Sequence, residues 1–245
     1  MKIYTEPVVT LLSKPTFAEP EHLRCDWAGD VGSTGARLVE YAGRLCYMSY
    51  HNPARRSSQE YITNILTQRH GSVLEHANFS VLVEGLSRSC SHELVRHRAG
   101  FAYSQLSQRY VDESDCAFVM PPLVRDQPPE ARVAWIRMVE EAAANYTVLS
   151  DQLETPARTR KQVREASRSV LPNATETKIV MTANARAWRH MLEMRTSPHA
   201  DREIRELAIA ILRLFQQEAP EFFQDFTITD DGLGAYQATP GFSKV

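Results

Sequence analysis

The densest chemistry in the chain lies in Ser91-His92-Glu93-Leu94-Val95-Arg96-His97-Arg98 and in the segment that follows, Ala99-Gly100-Phe101-Ala102-Tyr103-Ser104-Gln105-Leu106-Ser107-Gln108-Arg109-Tyr110. Arg96, Arg98 and Arg109 put three guanidiniums within fourteen residues, among Ser and Gln. A guanidinium offers a planar fork of donors that matches phosphate oxygens, so the grouping suits a phosphate-bearing ligand. On a helix, Glu93, Arg96 and His97 would fall at i, i+3 and i+4 and share a face, with Arg98 pointing elsewhere and Arg109 on a polar loop. The plainer alternative is a solvated, charged helix end. The interleaving of Tyr103, Leu106 and Tyr110 with Ser104, Gln105, Ser107 and Gln108 weighs against it.

Two competing chemistries fail on spacing. His92-Glu93-Leu94-Val95-Arg96 begins like the zinc motif H-E-x-x-H, but its second ligand must lie four residues on, where Arg96 stands; His97 is one position too far round. No metal is expected. Gly232-Leu233-Gly234-Ala235-Tyr236-Gln237 lacks the last glycine of a dinucleotide fingerprint and lies in the tail, so a bound flavin would not use a Rossmann loop. Farther along, Trp188, Met191, Leu192 and Arg195 fall at i, i+3, i+4 and i+7. An Arg on an apolar stripe is costly to bury without an anionic partner. It either meets an anionic ligand, snorkels to water, or pairs with Glu193 or Asp201. His70 and His76 flank Ser72, and lone histidines are more often packed or solvated than catalytic. Arg158, Arg160, Lys161, Arg164 and Arg168 read mostly as a solvated helix face.

The elements that must carry these residues follow from periodicity. Residues 2–12 read as an opening strand and residues 14–34, with Pro15, Pro20, Gly29, Gly32 and nearby Gly35, as loop. Helices are expected at 36–48, 57–69, 88–98 (stopping at Gly100), 128–153, 158–169 and 185–195, and strands at 77–84 and 175–182. Ser197 as N-cap with Pro198 at the first helical position would open the next helix, whose stripe is Ile204, Leu207, Ala208, Ile211, Leu212 and Phe215. The tail from residue 229 reads as loop. Helices outnumber strands, so the fold class is α+β: a small, mostly antiparallel sheet covered by long helices, in one domain over 1–245.

Composition narrows the function classes. The chain has 245 residues, enough for a real core, with 43% hydrophobic and 24% charged residues. Its formal charge of −2 gives no global field toward nucleic acid or membrane, so any anion site is a local gathering of Arg. No run of about 18 apolar residues and no signal peptide are seen. Cys25, Cys46, Cys90 and Cys116 are widely spaced without a C-x-x-C pair, which points to a reduced, cytoplasmic protein.

Arg96-His97-Arg98 followed by Ser107-Gln108-Arg109 resembles the signature of the flavin-dependent thymidylate synthases. The spacing differs: eight residues separate Arg98 from Ser107, one more than is usual in that family. The extra residue falls within 99–102, because Tyr103-Ser104-Gln105-Leu106-Ser107-Gln108-Arg109-Tyr110 is intact. His70-Gly71-Ser72-Val73-Leu74-Glu75-His76 is similar to the family's His-rich segment before a strand. Arg168-Ser169-Val170-Leu171-Pro172 resembles its second phosphate-proximal region, and Asn184-Ala185-Arg186, His190, Arg195 and His199 resemble its C-terminal helices. The resemblance runs over about residues 34–215.

It implies reductive methylation of dUMP to dTMP, with methylenetetrahydrofolate as carbon donor and FAD, reduced by NADPH, as hydride carrier, in a homotetramer whose active sites are shared between subunits. It implies that Ser72, Arg96, His97, Arg98, Gln105, Asn184, Arg186 and His190 contact FAD, with His70 near the flavin or folate. It implies that Glu93, Leu94, Val95, Arg96, Gln105, Leu106, Ser107, Gln108, Arg109 and Arg168 surround dUMP, and that Arg195 activates the pyrimidine. Some family members carry Glu at the Gln105 position and Gln at the Glu93 position. No protein nucleophile is implied: none of the four cysteines follows a proline, and Ser107 is a weak nucleophile without a base. Two alternatives remain at this stage. One is a nucleic-acid-binding protein using Arg96, Arg98, Arg109 and the tyrosines as a stacking platform, against which the net charge argues. The other is a flavin enzyme of different specificity.

Overall fold

The structure, a computed structural model, describes residues 1–27, 32–51 and 57–245. The loop position expected at Gly29 lies outside the described residues. The elements, in chain order, are β1 (Ile3–Tyr4), β2 (Val8–Ser13), α1 (Thr34–Leu45), α2 (Ser58–Thr67), β3 (Asn78–Ser87), α3 (Arg88–Leu94), β4 (Phe101–Gln105), β5 (Phe118–Val119), α4 (Pro122–Arg125), α5 (Pro129–Leu153), α6 (Arg160–Ser167), β6 (Glu176–Asn184), α7 (Ala185–Arg195), α8 (Arg202–Glu218), α9 (Pro220–Phe223), β7 (Phe226–Asp230) and β8 (Tyr236–Pro240). Strands pair in the order β2-β3-β6-β4, with two further pairs, β1-β5 and β7-β8. The Ser80 and Thr182 hydroxyls meet at 2.8 Å while the Gly85 N–H donates to Glu176, so β3 rises as β6 falls and the two are antiparallel. The class is therefore mixed helix and small antiparallel sheet.

Contacts divide the chain into two compact units. The first comprises Met1–Val8, Val83–Arg96 and Tyr103–Val180. Its core gathers Cys116, Phe118 and Val139, with Trp135, Ala143 and Leu171 packed against them. Helix α5 contributes Val139 and Tyr146 to the buried side, as its amphipathic spacing requires. Thr159 opens α6 through a reciprocal capping box with Gln162. The second unit comprises Val9–Leu82, His97–Ala102 and Met181–Val245. An aromatic core of Phe79, Trp188, Phe215, Phe222 and Phe223 fills it, and Trp188 donates its indole N–H to the Phe79 carbonyl. Ser57 and Glu60 form a second capping box at α2.

Four expectations are corrected. Residues 2–12 form two short strands rather than one: β1 pairs in parallel with β5, and β2 joins another sheet. The helix expected over 88–98 ends at Leu94, because the Tyr103 hydroxyl donates to the Leu94 carbonyl that a longer helix would have used. Glu93, Arg96 and His97 consequently do not share a helical face. Arg109 lies in the turn after β4, on the loop expected of it. Asp201, not Ser197, caps α8: Thr196 is tied to Ala238 of β8, and Ser197 closes a turn with Ala200. The tail is no loop but the β7-β8 hairpin, whose turn is held by the Asp231 carboxylate accepting from the Leu233 and Ala235 N–H groups.

Candidate functional site

In the first unit, a cavity of about 430 Å3 is lined by Arg88, His92, Gln108, Glu165, Arg168 and the 169–173 segment. Ser87 caps α3 by accepting from the Cys90 N–H, which sets Arg88 at the first helical position and His92 one turn on, over the same wall. The Arg88 guanidinium is half-buried and donates through Nη2 to the Leu106 carbonyl at 2.9 Å. Burial pulls its pKa below the ordinary Arg value; Glu113 and Glu176 oppose that, and the like charge of Arg168 adds to it. Arg168 lines the same cavity from the end of α6. Arg109 donates to Glu165 from both Nε, at 3.1 Å, and Nη2, at 3.0 Å. The carboxylate on the cavity wall is thus already engaged by a guanidinium fork.

The neighbouring polar residues are held firmly. Gln105 donates its amide to the Ser91 and Thr177 hydroxyls. Ser107 accepts from the Arg109 N–H at 3.4 Å. Arg164 bridges the Tyr110 carbonyl and Asp112. Glu113 is buried, and burial is the main reason its carboxyl is pushed up to about 7; Arg88 pulls the other way.

In the second unit the main feature is a contact between residues far apart in sequence. Arg195, at the last position of α7, donates Nε–H to His97 Nε2 at 2.8 Å. The sequence offered an anionic ligand, water, Glu193 or Asp201 as partners; this partner is an imidazole. Burial, then Arg195, then His190 push the His97 pKa down to about 4, so the ring is neutral near neutral pH and Nε2 is an acceptor. The His190 and Phe101 rings each lie 6.4 Å from the His97 ring. Asn184 caps α7 by accepting from the Ala187 N–H. Gly100 has φ +77°, and a Cβ there would come within 2.9 Å of the Ala187 methyl, so the turn after Arg98 requires glycine.

A second cavity, about 380 Å3, is lined by Gly43, Tyr47, Tyr61, Arg69, His70, Ser72 and Arg186, among others. Arg186 is paired with Glu75 at 2.7 Å and also donates to the Val245 carbonyl.

The expected residues therefore fall into groups. Gln108 and Arg168 share the first cavity, with Arg109 held there through Glu165. Leu94 is fully buried and presents no side chain, while Val95 and Arg96 are exposed and Glu93 is half-buried. Leu106 lends its carbonyl to Arg88. His97, His190 and Arg195 cluster; Ser72 and Arg186 share the second cavity, and His70 joins them; Arg98 is exposed. Sequence reading missed Arg88, His92 and Glu165. The Ser87 cap and the i, i+4 spacing of Arg88 and His92 were the available signals. Glu165 was hidden inside a segment read as basic. Among the described residues, no cluster of three or more His, Cys, Asp or Glu could hold a metal, and no helix is long and apolar enough to cross a membrane.

The chain resembles known proteins along most of its length. Residues 31–221 match the family described as thymidylate synthase complementing protein. A flavin-dependent thymidylate synthase from Mycolicibacterium gilvum is 48% identical over 240 residues, covering 94% of each chain. One from Mycobacteroides abscessus is 48% identical over 230 residues, covering 90% of each. Among solved structures, a UMP/dUMP methylase, PolB, from Streptomyces cacaoi with bound 5-Br dUMP superposes with a TM-score of 0.69 at 22% identity, over 91% of this chain and 96% of that one, and so shares the fold.

Proposed function

We propose, from the premise that this chain belongs to the family of flavin-dependent thymidylate synthases, that it converts dUMP to dTMP by reductive methylation. Methylenetetrahydrofolate is the carbon donor in this reading. FAD, when bound, supplies the hydride that completes the methyl group after reduction by NADPH. The enzyme works in the cytoplasm as a homotetramer with active sites shared between subunits, without nucleic-acid or membrane partners.

The observation that carries the reading is the Arg195–His97 hydrogen bond. Uracil C5 must attack an electrophilic carbon, so electron density has to gather on the N3–O4 edge of the ring. A half-buried guanidinium stabilises that charge, and a neutral imidazole anchor orients it while cancelling none of its own. No protein nucleophile is needed. Arg88, Gln108 and Arg168 hold the phosphate of dUMP, with Arg109 turning from Glu165 to join them. Ser107 and Gln105 order the nucleotide's polar edge. Glu93, Leu94, Val95, Arg96 and Leu106 complete its surroundings, the buried Leu94 through its backbone alone. For FAD, the donor set of Ser72, His70 and Arg186 in the second cavity fits a group bearing phosphates, and Arg96, His97, Arg98, Gln105, Asn184 and His190 form the rest of its contacts.

The test is an absorbance spectrum and an assay. Purified protein is expected to be yellow, and to form dTMP from dUMP when given NADPH and methylenetetrahydrofolate. Colourless protein that cannot be loaded with FAD would remove the proposal. A flavin spectrum unmoved by dUMP would point to a flavin enzyme of another specificity.

A further inference from the structure

We propose that Glu113 is a positioning residue through which phosphate binding at the Arg88–Arg168 cavity is coupled to proton uptake from solvent. The inference rests on the dUMP reading of that cavity. Glu113 is 4% exposed, and its Oε1 is buried without a hydrogen-bond partner. The Nε of Arg88 is in the same condition, although the two groups attract each other. A buried carboxylate and a half-buried guanidinium that attract each other thus each keep one buried polar atom unpartnered, an arrangement that native interiors rarely keep without a role.

Among the described residues, charged and titratable groups reach Glu113 from several elements. Arg88 approaches from α3 and Glu176 from β6, with Asp112 and Cys116 on its own loop. The Tyr146 hydroxyl of α5 accepts the Glu113 N–H, and Arg164 of α6 holds Asp112. Arg168 acts through Arg88. Burial holds the Glu113 carboxyl near 7, with Arg88 pulling it down and Glu176 and Asp112 pushing it up. At neutral pH the group is therefore divided between its two forms. Its ionised form is the counter-charge to Arg88. A phosphate dianion on Arg88 and Arg168 takes over that part and repels the carboxylate, whose proton affinity then rises. By linkage, a proton passes from water to the Glu113 carboxylate as the ligand binds; no other bond changes.

Calorimetric titration of the full chain with dUMP at pH 7.5, in two buffers of different ionisation heat, counts that proton. If the ligand raises the carboxyl by about one pH unit, the wild type takes up about half a proton more than Glu113→Gln. On the same basis, dUMP affinity in the wild type, relative to Glu113→Gln, weakens roughly sixfold from pH 6.5 to 8.5. Glu113→Asp, which keeps a titrating carboxyl, retains the uptake. Ionisation of the nucleotide's own phosphate is common to all three proteins and cancels in the difference. A merely structural Glu113 would lower the melting temperature in Glu113→Gln and leave the proton count equal to wild type, which overturns the inference.

Should Glu113→Gln fail to fold, an infrared difference spectrum of the wild type reads the same event. A protonated-carboxyl band that grows on addition of dUMP supports the inference, and no band overturns it. Inorganic phosphate, titrated in parallel, separates the two readings. Glu113-dependent uptake with phosphate but no dUMP binding defeats the dUMP reading alone. Binding of dUMP without that uptake defeats the Glu113 inference alone, and binding of neither defeats both.

Discussion

Arg109 in the first unit and Arg195 in the second rest on partners of different kinds. In the first, Arg109 is paired with Glu165, and Arg88 feels Glu113 and Glu176. In the second, Arg195 is anchored on His97, a neutral ring. A carboxylate anchor suits a binding site, because a phosphate can exchange with it. A neutral anchor suits a catalytic site, because the anchor itself takes no share of the positive charge that the transition state needs. The units differ in proton chemistry as well: burial lowers the His97 pKa and raises that of Glu113, because burial always disfavours whichever form is charged.

The sharpest way to break the contrast is Arg195→Ala. Turnover is expected to fall by roughly 100- to 1000-fold or more, as for loss of a transition-state donor, while bound flavin absorbance stays. Full activity in that variant would erase the distinction between the two regions. Arg168→Ala should act on the other side of it, raising KM for dUMP by about 10- to 100-fold, the worth of one charge-assisted hydrogen bond, with kcat little changed. Steady-state kinetics of both variants test whether one arginine serves kcat and the other KM.

The pH effects come next. His97 has a folded pKa below its unfolded value, so the unfolded chain takes up the proton first. Its contribution to stability is complete above about 6.5 and is lost as pH falls through about 4. Glu113 runs the other way: its contribution is complete below the ordinary carboxyl value of 4.5 and is lost as pH rises through about 7. Between about pH 4.5 and 6.5 the two act with opposite sign, so His97→Gln should reduce the rise of the denaturation midpoint with pH and Glu113→Gln should increase it. A change of slope in the same direction from both variants would contradict the assignments. The smallest effect is expected from Glu165→Gln. Removing a half-exposed competitor for Arg109 should tighten dUMP binding by about 2- to 5-fold and barely move the melting temperature, as befits an exposed pair. Weaker binding in that variant would show that Glu165 supports the ligand rather than competing with it.

Much of the scaffold was legible in the residues. Helices α5, α7 and α8 lie where their apolar spacing predicts, α7 over the expected residues, and Arg195 does close the stripe of Trp188, Met191 and Leu192. The errors came where a distant group overrode a local rule. The Tyr103 phenol cuts α3 short, β8 holds Thr196 and delays α8, and strand pairing turns an acidic, glycine-containing tail into a hairpin. At the site, the order of Arg96-His97-Arg98, Ser107, Arg109, Arg168 and Arg195 carried the family resemblance, while Arg88 passed for an ordinary helix-start residue.

By itself the sequence determined the helical stripes, the capping boxes at Ser57 and Thr159, the need for glycine at tight turns and the supply of guanidiniums. These depend on residues within a turn or two of one another, where backbone sterics and 3.6-residue spacing decide. Only the tertiary structure decided that Arg195 rests on a histidine 98 positions away, that Arg109 is held by Glu165, and that Glu113 is buried near Arg88. Charge, proton affinity and partner all depend on which distant groups exclude water from a side chain, and no local spacing encodes that.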